Sequence, residues 1–310
     1  MYRIRFHGRG GQGMKTASRI LGTAFFLEGF EVQDAPRYGA ERRGAPIFAY
    51  VRASRNAIFE RGIIRRPDLV VVADDTLVAI PSAGVLQGVA ESAVVLICSN
   101  EKPGFWKSRY PLPEKVVTLP VSEEGQREHR FISASCAGAA ACLSGVVSKD
   151  CLKKAIHQEL SDHEEDVVKE NLSRALNAYE LMMPYGDLIN PGAGEGESPF
   201  TKPDWIDLPF EEARISAPSI HAALTSEKVK TGLWRTMRPV IDYDRCQRCG
   251  LCSQLCPEGA ISLNAEGYPV IDYEHCKGCL ICVAQCPTHA VGTVPEEHGR
   301  EKGNSAGGEK

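Results

Sequence analysis

Eight cysteines fall in two runs of one pattern. "CQRCGLCSQLCP" begins at Cys246 and "CKGCLICVAQCP" at Cys276. Each reads C-x2-C-x2-C-x3-C-P. Three thiolates at this spacing fit three corners of an iron–sulfur cube, and a fourth, followed by proline, is led away toward a second cube. The spacing assigns Cys246, Cys249, Cys252 and Cys286 to one 4Fe-4S cluster and Cys276, Cys279, Cys282 and Cys256 to the other. Structural zinc is the competing reading, but zinc sites use separated pairs of ligands rather than a run of four closed by Cys-Pro. Each cluster would pass one electron at a time, so the chemistry implied is a short two-site electron path. The match extends ahead of the cysteines: Pro239-Val240-Ile241-Asp242-Tyr243 returns as Pro269-Val270-Ile271-Asp272-Tyr273. Such a duplication predicts two similar half-domains facing each other.

A second constellation lies at the N-terminus. In "HGRGGQGMKTA", Gly8, Gly10 and Gly13 satisfy G-x-G-x-x-G, with Arg9 and Gly11 inside the loop and Asp34 21 residues beyond Gly13. Gly8, Arg9, Gly10, Gly11 and Gly13 are therefore candidates to hold an anionic cofactor on backbone amides at a helix N-terminus. A tight strand-to-helix turn that needs glycine for conformation alone is the other reading. Against a dinucleotide fold, Arg3 and Arg5 alternate with apolar residues in a first strand that is usually buried. Further on, "RYGAERRGAP" packs Arg37, Arg42 and Arg43 around Glu41. Arg42 and Arg43 suit a loop that grips phosphate or a partner's carboxylates, or else form a solvated charged turn. Cys98, Cys136, Cys142 and Cys151 share no ligand spacing and read as small buried hydrophobes.

These residues need elements to hold them. The chain has 310 residues, 43% hydrophobic and 25% charged, which suits one good core plus a smaller module. No apolar run approaches a membrane span, and the first residues lack an apolar signal region. The expectation is a cytoplasmic protein with no membrane partner, whose twelve cysteines are reduced and serve metal rather than disulfides. Residues 1–66 hold thirteen Lys/Arg against five Asp/Glu, whereas residues 239–292 hold three against six. The basic end predicts an anionic ligand or partner. Nucleic acid is not expected, because no stacking aromatics accompany that charge.

Residues 1–185 read as an open α/β sheet domain, strands alternating with helices. "RIRF" is a short strand, and "MKTASRILGTAFF" a helix with Ala17, Ile20, Leu21 and Ala24 on one face. "DLVVVAD" (68–74), "AVVLIC" (93–98) and "KVVTLPV" (115–121) suit strands buried on both faces. "SASCAGAAACLSGVV" (133–147) is a closely packed helix. Ser161 and Glu164 could open another as a capping box, followed by an apolar face of Val168, Leu172, Ala175, Leu176, Tyr179 and Met182. Residues 186–238 read as an extended linker, residues 239–294 as an α+β two-cluster ferredoxin-like domain, and 295–310 as a disordered tail.

Taken together, "GRGGQG", "YGAERRGAP" and "TGLWRTMRPVID" running into the cysteine repeats resemble the 2-oxoacid:ferredoxin oxidoreductases. Residues 1–185 resemble their gamma subunit and residues from about Thr231 to Val294 their delta subunit, here fused. The E-R-R-G-A-P form is most similar to the pyruvate branch, with oxalate and arylglyoxylate enzymes also close. The resemblance implies electron transfer from 2-oxoacid decarboxylation, through the two clusters, to ferredoxin. It places thiamine diphosphate and Mg in alpha and beta partner subunits, since this chain has no G-D-G followed by Asn-Asn, and it puts the glycine and Arg-Arg loops at the assembled active site, near coenzyme A or the partner subunits. The chain alone would not be catalytic. The alternative is a reductase subunit whose first domain binds a nucleotide or flavin and feeds the clusters directly.

Overall fold

The computed structural model describes residues 1–37, 44–121, 131–192 and 229–296. It divides into two units, Met1–Pro199 and Phe200–Lys310.

The first unit is built on a six-stranded sheet of order β2-β3-β1-β4-β5-β6. Its strands are β1 (Tyr2–Arg9), β2 (Glu31–Arg37), β3 (Pro46–Ser54), β4 (Leu69–Val72), β5 (Val94–Cys98) and β6 (Val116–Leu119). β1, β4, β5 and β6 are parallel, as the short apolar runs predict. β3 is antiparallel to both β1 and β2. The sheet is therefore mixed, and its antiparallel edge was not expected.

Period-two alternation divides β1 between the two faces. Ile4 and Phe6 join a core with α1 (Met14–Leu27), α3 (Ile132–Leu143), α4 (Lys149–Glu159) and α5 (Glu165–Met182). Ala17, Ile20, Leu21 and Ala24 of α1 are fully buried there, as their spacing predicts. On the opposite face Val70, Val72, Val95 and Ile97 pack with Trp106 of α2 (Pro103–Arg109). The odd residues of β1 are Arg3, Arg5, His7 and Arg9. Arg5, His7 and Arg9 are all under 5% exposed, which corrects the argument that an arginine-bearing first strand cannot be buried.

The reason is that each guanidinium finds carboxylate or carbonyl partners, although Arg3 Nη1 and Arg5 Nε are buried without a hydrogen bond. Arg3 pairs with Glu60 at 2.7 Å, and Glu60 also takes Arg52 of β3 at 3.2 Å. Arg5 donates to the carbonyls of Gln87 (2.7 Å) and Val85 (2.9 Å), with burial lowering its pKa to about 10.

The expected capping box at Ser161 and Glu164 is not formed. Glu164 is the N-cap of α5 and makes no side-chain cap bond. A side-chain cap occurs instead one helix earlier, where Ser148 accepts from the Cys151 amide at the start of α4. The stretch expected as a linker is ordered at both of its described ends. Ile189 is buried in the first core, and Gly192 donates to Asp68. Residues 193–228, with Trp205 and Phe210, lie outside the described residues.

The second unit shows the duplication directly. β7 (Met237–Ile241), α6 (Leu251–Gln254) and β8 (Ile261–Leu263) are followed by β9 (Pro269–Ile271), α7 (Ile281–Ala284) and β10 (Val291–Pro295). β7 pairs with β10 and β8 with β9, both antiparallel. Each ribbon thus joins a leading strand of one repeat to a trailing strand of the other. Ala260, Ile261, Ile271 and Val291 form the small core between them, with Cys276 and Cys282. Pro295 and Glu296, assigned to the tail, belong to this unit: Pro295 closes β10, and Glu296 is 6% exposed. Residues 297–310 lie outside the described residues.

Candidate metal centres and the glycine loop

Because the ribbons swap strands between repeats, the last cysteine of each run is carried to the other run's loop. One cavity is lined by Cys246, Cys249, Cys252 and Cys286, together with Gly250, Pro269 and Pro287. The other is lined by Cys256, Cys276, Cys279 and Cys282, with Pro257, Leu280 and Ile281. These are the two interleaved sets that the spacing assigns. Among the described residues no three His, Cys, Asp or Glu side chains converge on a single ion. One zinc would hold its sulfurs ~3.8 Å apart, given Zn–S of ~2.3 Å. Four thiols lining one apolar cavity are the donor set that a cubane cluster takes.

The electrostatics of the donors agree. Burial raises the pKa of Cys276 and Cys252. Burial, then Cys276 and Cys279, push the Cys282 thiol up to about 11. Crowded thiols in an apolar pocket ionise only when a cation compensates them. Cys286 goes the other way. Burial opposes its ionisation, but bonds from Thr288 and the Ala290 and Val291 amides outweigh this and lower the pKa. The Ala290 amide donates to its Sγ at 3.2 Å. That bond would hold the sulfur's lone pairs in direction, as hydrogen bonds to ligand atoms do in metal sites.

The two sets differ in their surroundings. Cys276 and Cys282 are buried, while Cys246 and Cys252 are half-buried. The extra cover comes from residues 231–235, a segment without counterpart in the first repeat. Thr231 Oγ1 donates to the His275 carbonyl, and the Gly232 amide to that of Glu274 at 2.7 Å. Arg235 donates to the Tyr273 and Cys276 carbonyls and pairs with Glu296 at 2.8 Å, both side chains almost fully buried. Sequence reading missed Arg235 and Glu296 as supports of this loop. The signal was faint: one arginine before the duplicated stretch and one acid after it.

The glycine loop lies at the end of β1. The Gly10 amide donates to Ala45 O at 2.8 Å, and Gly44 returns a bond to Gly10 O at 3.1 Å. Arg9 is 2% exposed. Its Nε reaches Asp74 Oδ2 at 3.1 Å, Nη1 the Gly44 carbonyl at 3.1 Å and Nη2 Thr76 Oγ1 at 2.7 Å. Gln12 braces the turn, accepting from the Arg9 amide at 2.7 Å and donating to Asp74 at 3.1 Å. Arg9 therefore ties two loops together and offers no free charge to an anion, which corrects its expected role.

At Gly8 a Cβ would stand 2.6 Å from Met14 Cγ, so a larger residue there would have to displace that buried side chain. Gly13, at φ +70°, is the N-cap of α1 and has no side-chain cap bond. Its α-carbon faces Ser133, two residues past the N-cap of α3, which is also uncapped by a side chain. Two helix N-termini thus meet at Gly13, an arrangement that favours an anion.

The dinucleotide fingerprint does not assemble. Asp34 pairs with Val51, and Val51 with Ile4, which places Asp34 level with mid-β1 and four residues short of Gly8. β2 is also separated from β1 by β3, so there is no adjacent βαβ unit of the kind that fingerprint needs. Arg42 and Arg43 lie outside the described residues. Cys98 and Cys136 are buried in the first core with their sulfurs 3.6 Å apart.

Comparison with known proteins matches both units. The family described as pyruvate ferredoxin/flavodoxin oxidoreductase matches residues 3–181. The 4Fe-4S binding domain matches residues 239–262 and again 269–291. Pyruvate synthase subunit PorC of Methanocaldococcus jannaschii is 35% identical over 188 residues, 60% of this chain and 100% of that protein. The pyruvate/ketoisovalerate oxidoreductases common subunit gamma of Thermococcus litoralis is 34% identical over 188 residues, covering 60% and 99%. The crystal structure of pyruvate oxidoreductase subunit PORC from Thermotoga maritima is 28% identical, with a TM-score of 0.49 over 58% of this chain and 95% of that one.

Proposed function

We propose, from the premise that the chain belongs to the pyruvate ferredoxin/flavodoxin oxidoreductase family, that it is a fused gamma–delta subunit carrying electrons from 2-oxoacid decarboxylation to ferredoxin. The observation that carries this reading is the pair of interleaved thiol sets, each around its own cavity, behind a domain of the gamma type. When bound, two 4Fe-4S clusters supply one-electron carriers close together. The chain's own residues do the rest. The eight cysteines hold the sites, the ribbons β7–β10 and β8–β9 fix their separation, and the Ala290 amide orients one ligand sulfur.

In this reading thiamine diphosphate and Mg belong to alpha and beta partner subunits, and pyruvate is the favoured 2-oxoacid. The turn of Gly8, Gly10, Gly11 and Gly13 presents the helix N-termini at Gly13 toward an anion, either coenzyme A or acidic groups of a partner. Arg42 and Arg43 supply the positive charge, and Arg9 holds the loop from below. The junction between Gly10 and Gly44 supports this, because it ties the two loops to each other.

The test is anaerobic reconstitution followed by assembly. The chain should bind about eight irons and eight sulfides. With its alpha and beta partners, a 2-oxoacid should reduce those clusters, whereas the chain by itself should not decarboxylate. Stoichiometric zinc in colourless protein would end this reading.

A further inference from the structure

The duplication gives two sites one ligand pattern, yet the loops that carry the cysteines are held unequally. In the second repeat glycine stands where a neighbour lies against the backbone. A Cβ at Gly278 would be 2.6 Å from Arg235 Cγ and 2.7 Å from the Met237 carbonyl oxygen, and one at Gly232 would be 2.2 Å from the Tyr273 carbonyl oxygen. The strap of residues 231–235 therefore lies directly on the backbone of the Cys276 loop. In the first repeat the position of Gly278 is taken by Arg248. Its side chain is exposed, donates to the Glu266 carbonyl at 3.4 Å and lies over the Tyr268 ring.

Ion pairs divide in the same way. Around the second loop Arg235 pairs with Glu296 and Lys277 with Glu258, His275 lies 2.6 Å from Asp272, and Lys230 meets Glu274. The last pair is exposed and contributes little. The first is nearly fully buried, and the same Arg235 donates to the Tyr273 and Cys276 carbonyls. Lys277 follows Cys276, and Glu258 is two residues past Cys256. Their pair ties the fourth ligand, which comes from the first run, to the loop bearing the other three. At the first site the matching tie is Arg245 to the Thr288 carbonyl at 2.9 Å, a bond from an exposed side chain to a neutral acceptor. Asp242, Asp244, Arg245, Arg248 and Glu266 stand around that loop, and among the described residues none of them forms an ion pair. The Ala290 amide holds the Cys286 sulfur there, but that is one ligand of the set.

We propose that Arg235 and Glu296 are positioning residues that keep the Cys276 loop in its cluster-bearing shape, so that the site of Cys256, Cys276, Cys279 and Cys282 retains its cluster while the site of Cys246, Cys249, Cys252 and Cys286 gives its cluster up first. The inference rests on the two-cluster reading above. A chelator reaches a cluster when the ligand loop opens locally, and opening is harder where more buried contacts must break. Opening the second loop breaks the bonds of the strap and uncovers Cys276 and Cys282, each 9% exposed. Opening the first breaks two bonds from exposed arginines and uncovers residues that are only half-buried. Release needs no oxidant or reductant. An oxidised cluster leaves as ferrous and ferric ions in equal number with its sulfides, and the thiolates left behind take up protons.

The test begins with the anaerobic chain carrying about eight irons. EDTA is added until half the iron is lost, free thiols are alkylated with iodoacetamide, and the labelled cysteines are read by mass spectrometry. The label should fall on Cys246, Cys249, Cys252 and Cys286 and spare Cys256, Cys276, Cys279 and Cys282. Arg235→Gln/Glu296→Gln removes both charges and leaves neither unpaired. In it iron should leave the second site about tenfold faster, the worth of one charge-assisted bond, with release from the first site unchanged. Thr231→Val removes one bond of the strap and no charge. It should shift the second site in the same direction by less, and it decides the matter where the double variant does not load. Equal labelling of the two sets in the parent, or label on the second set first, overturns the proposal. So does a variant whose second site releases iron no faster, and so does acceleration of both sites alike, which would mean a general loosening of the fold. A parent that takes up zinc in place of iron fails instead at the two-cluster reading.

Discussion

At the residue scale, the crossed cysteines make the most discriminating claim. Cys256 lines the cavity of Cys276, Cys279 and Cys282, and Cys286 that of Cys246, Cys249 and Cys252. Cys256→Ala should therefore damage the second cluster first, although it sits in the first run, and Cys286→Ala should damage the first. EPR of the reduced variants separates the two, and loss confined to the sequence-local cluster would refute the pairing. His7 carries a second prediction. It is 1% exposed, meets the Phe48 ring edge-on at 5.0 Å, and neither ring nitrogen has a hydrogen-bond partner. Burial, then the Arg5 charge, hold its pKa well below 6.5. The folded state keeps it neutral while the unfolded chain protonates it near its ordinary value. Its contribution is complete above about pH 6.5 and is lost as the pH falls toward the folded pKa. His7→Gln should lose less thermal stability than the parent between about pH 7.5 and 5.5; equal losses would place the acid sensitivity elsewhere. The two interleaved thiol sets were legible in the sequence because the repeated spacing brings each set to one cavity. The role of Arg9 was not, because a count of charge cannot show that Asp74, Thr76 and the Gly44 carbonyl already occupy its guanidinium.

At the element scale, legibility followed burial. β4, β5 and β6 are covered on both faces, and a continuous apolar run is what such strands require. β2, "EVQDAPR", is an edge strand with a proline, and β3 carries Arg52 in register with Arg3. Neither has the alternation that marks a strand locally, and their pairing is set by the arginine and Glu60 cluster beneath. α4 was hidden for a similar reason, since only Leu152, Ala155 and Ile156 of its eleven residues are buried. The small-residue helix α3 was legible, and its packing is testable. A Cβ at Gly138 would stand 2.1 Å from the Ala175 carbonyl oxygen of α5. Backbone cannot yield as a side chain can, so Gly138→Ala must push the two helices apart. It should cost about 3 kcal/mol, at the upper end for overpacking. Gly104→Ala in α2 meets nothing within 4 Å and should be neutral or slightly stabilising, by up to about 1 kcal/mol. Chemical denaturation of the two variants checks both, and similar midpoints would show that α3 and α5 are not in close backbone contact.

At the scale of the whole molecule, the question is where the charge of the first unit goes. Residues 1–66 carry an excess of eight positive charges, yet Arg3, Arg5, Arg9 and Arg52 are partnered within the fold. The anion-binding capacity of this end must therefore rest on fewer residues than the count suggests. Arg42 and Arg43 are the adjacent pair next to the glycine turn in this account, because the Gly44 that follows them is bonded to Gly10. Charge-assisted arginine contacts contribute about 1.5–3 kcal/mol each when partly buried. Arg42→Ala/Arg43→Ala should then weaken turnover or assembly by about tenfold or more, with both clusters intact by EPR. If the anion is a coenzyme A phosphate, the loss should appear in the apparent affinity for the coenzyme and hardly in the partial reaction that needs only the 2-oxoacid. If it is a carboxylate of a partner subunit, the complex should dissociate at lower salt than the parent, because screening acts most on exposed pairs. Normal assembly together with normal turnover would leave the two arginines as solvated charge, and the helix ends at Gly13 would then have to hold the anion unaided.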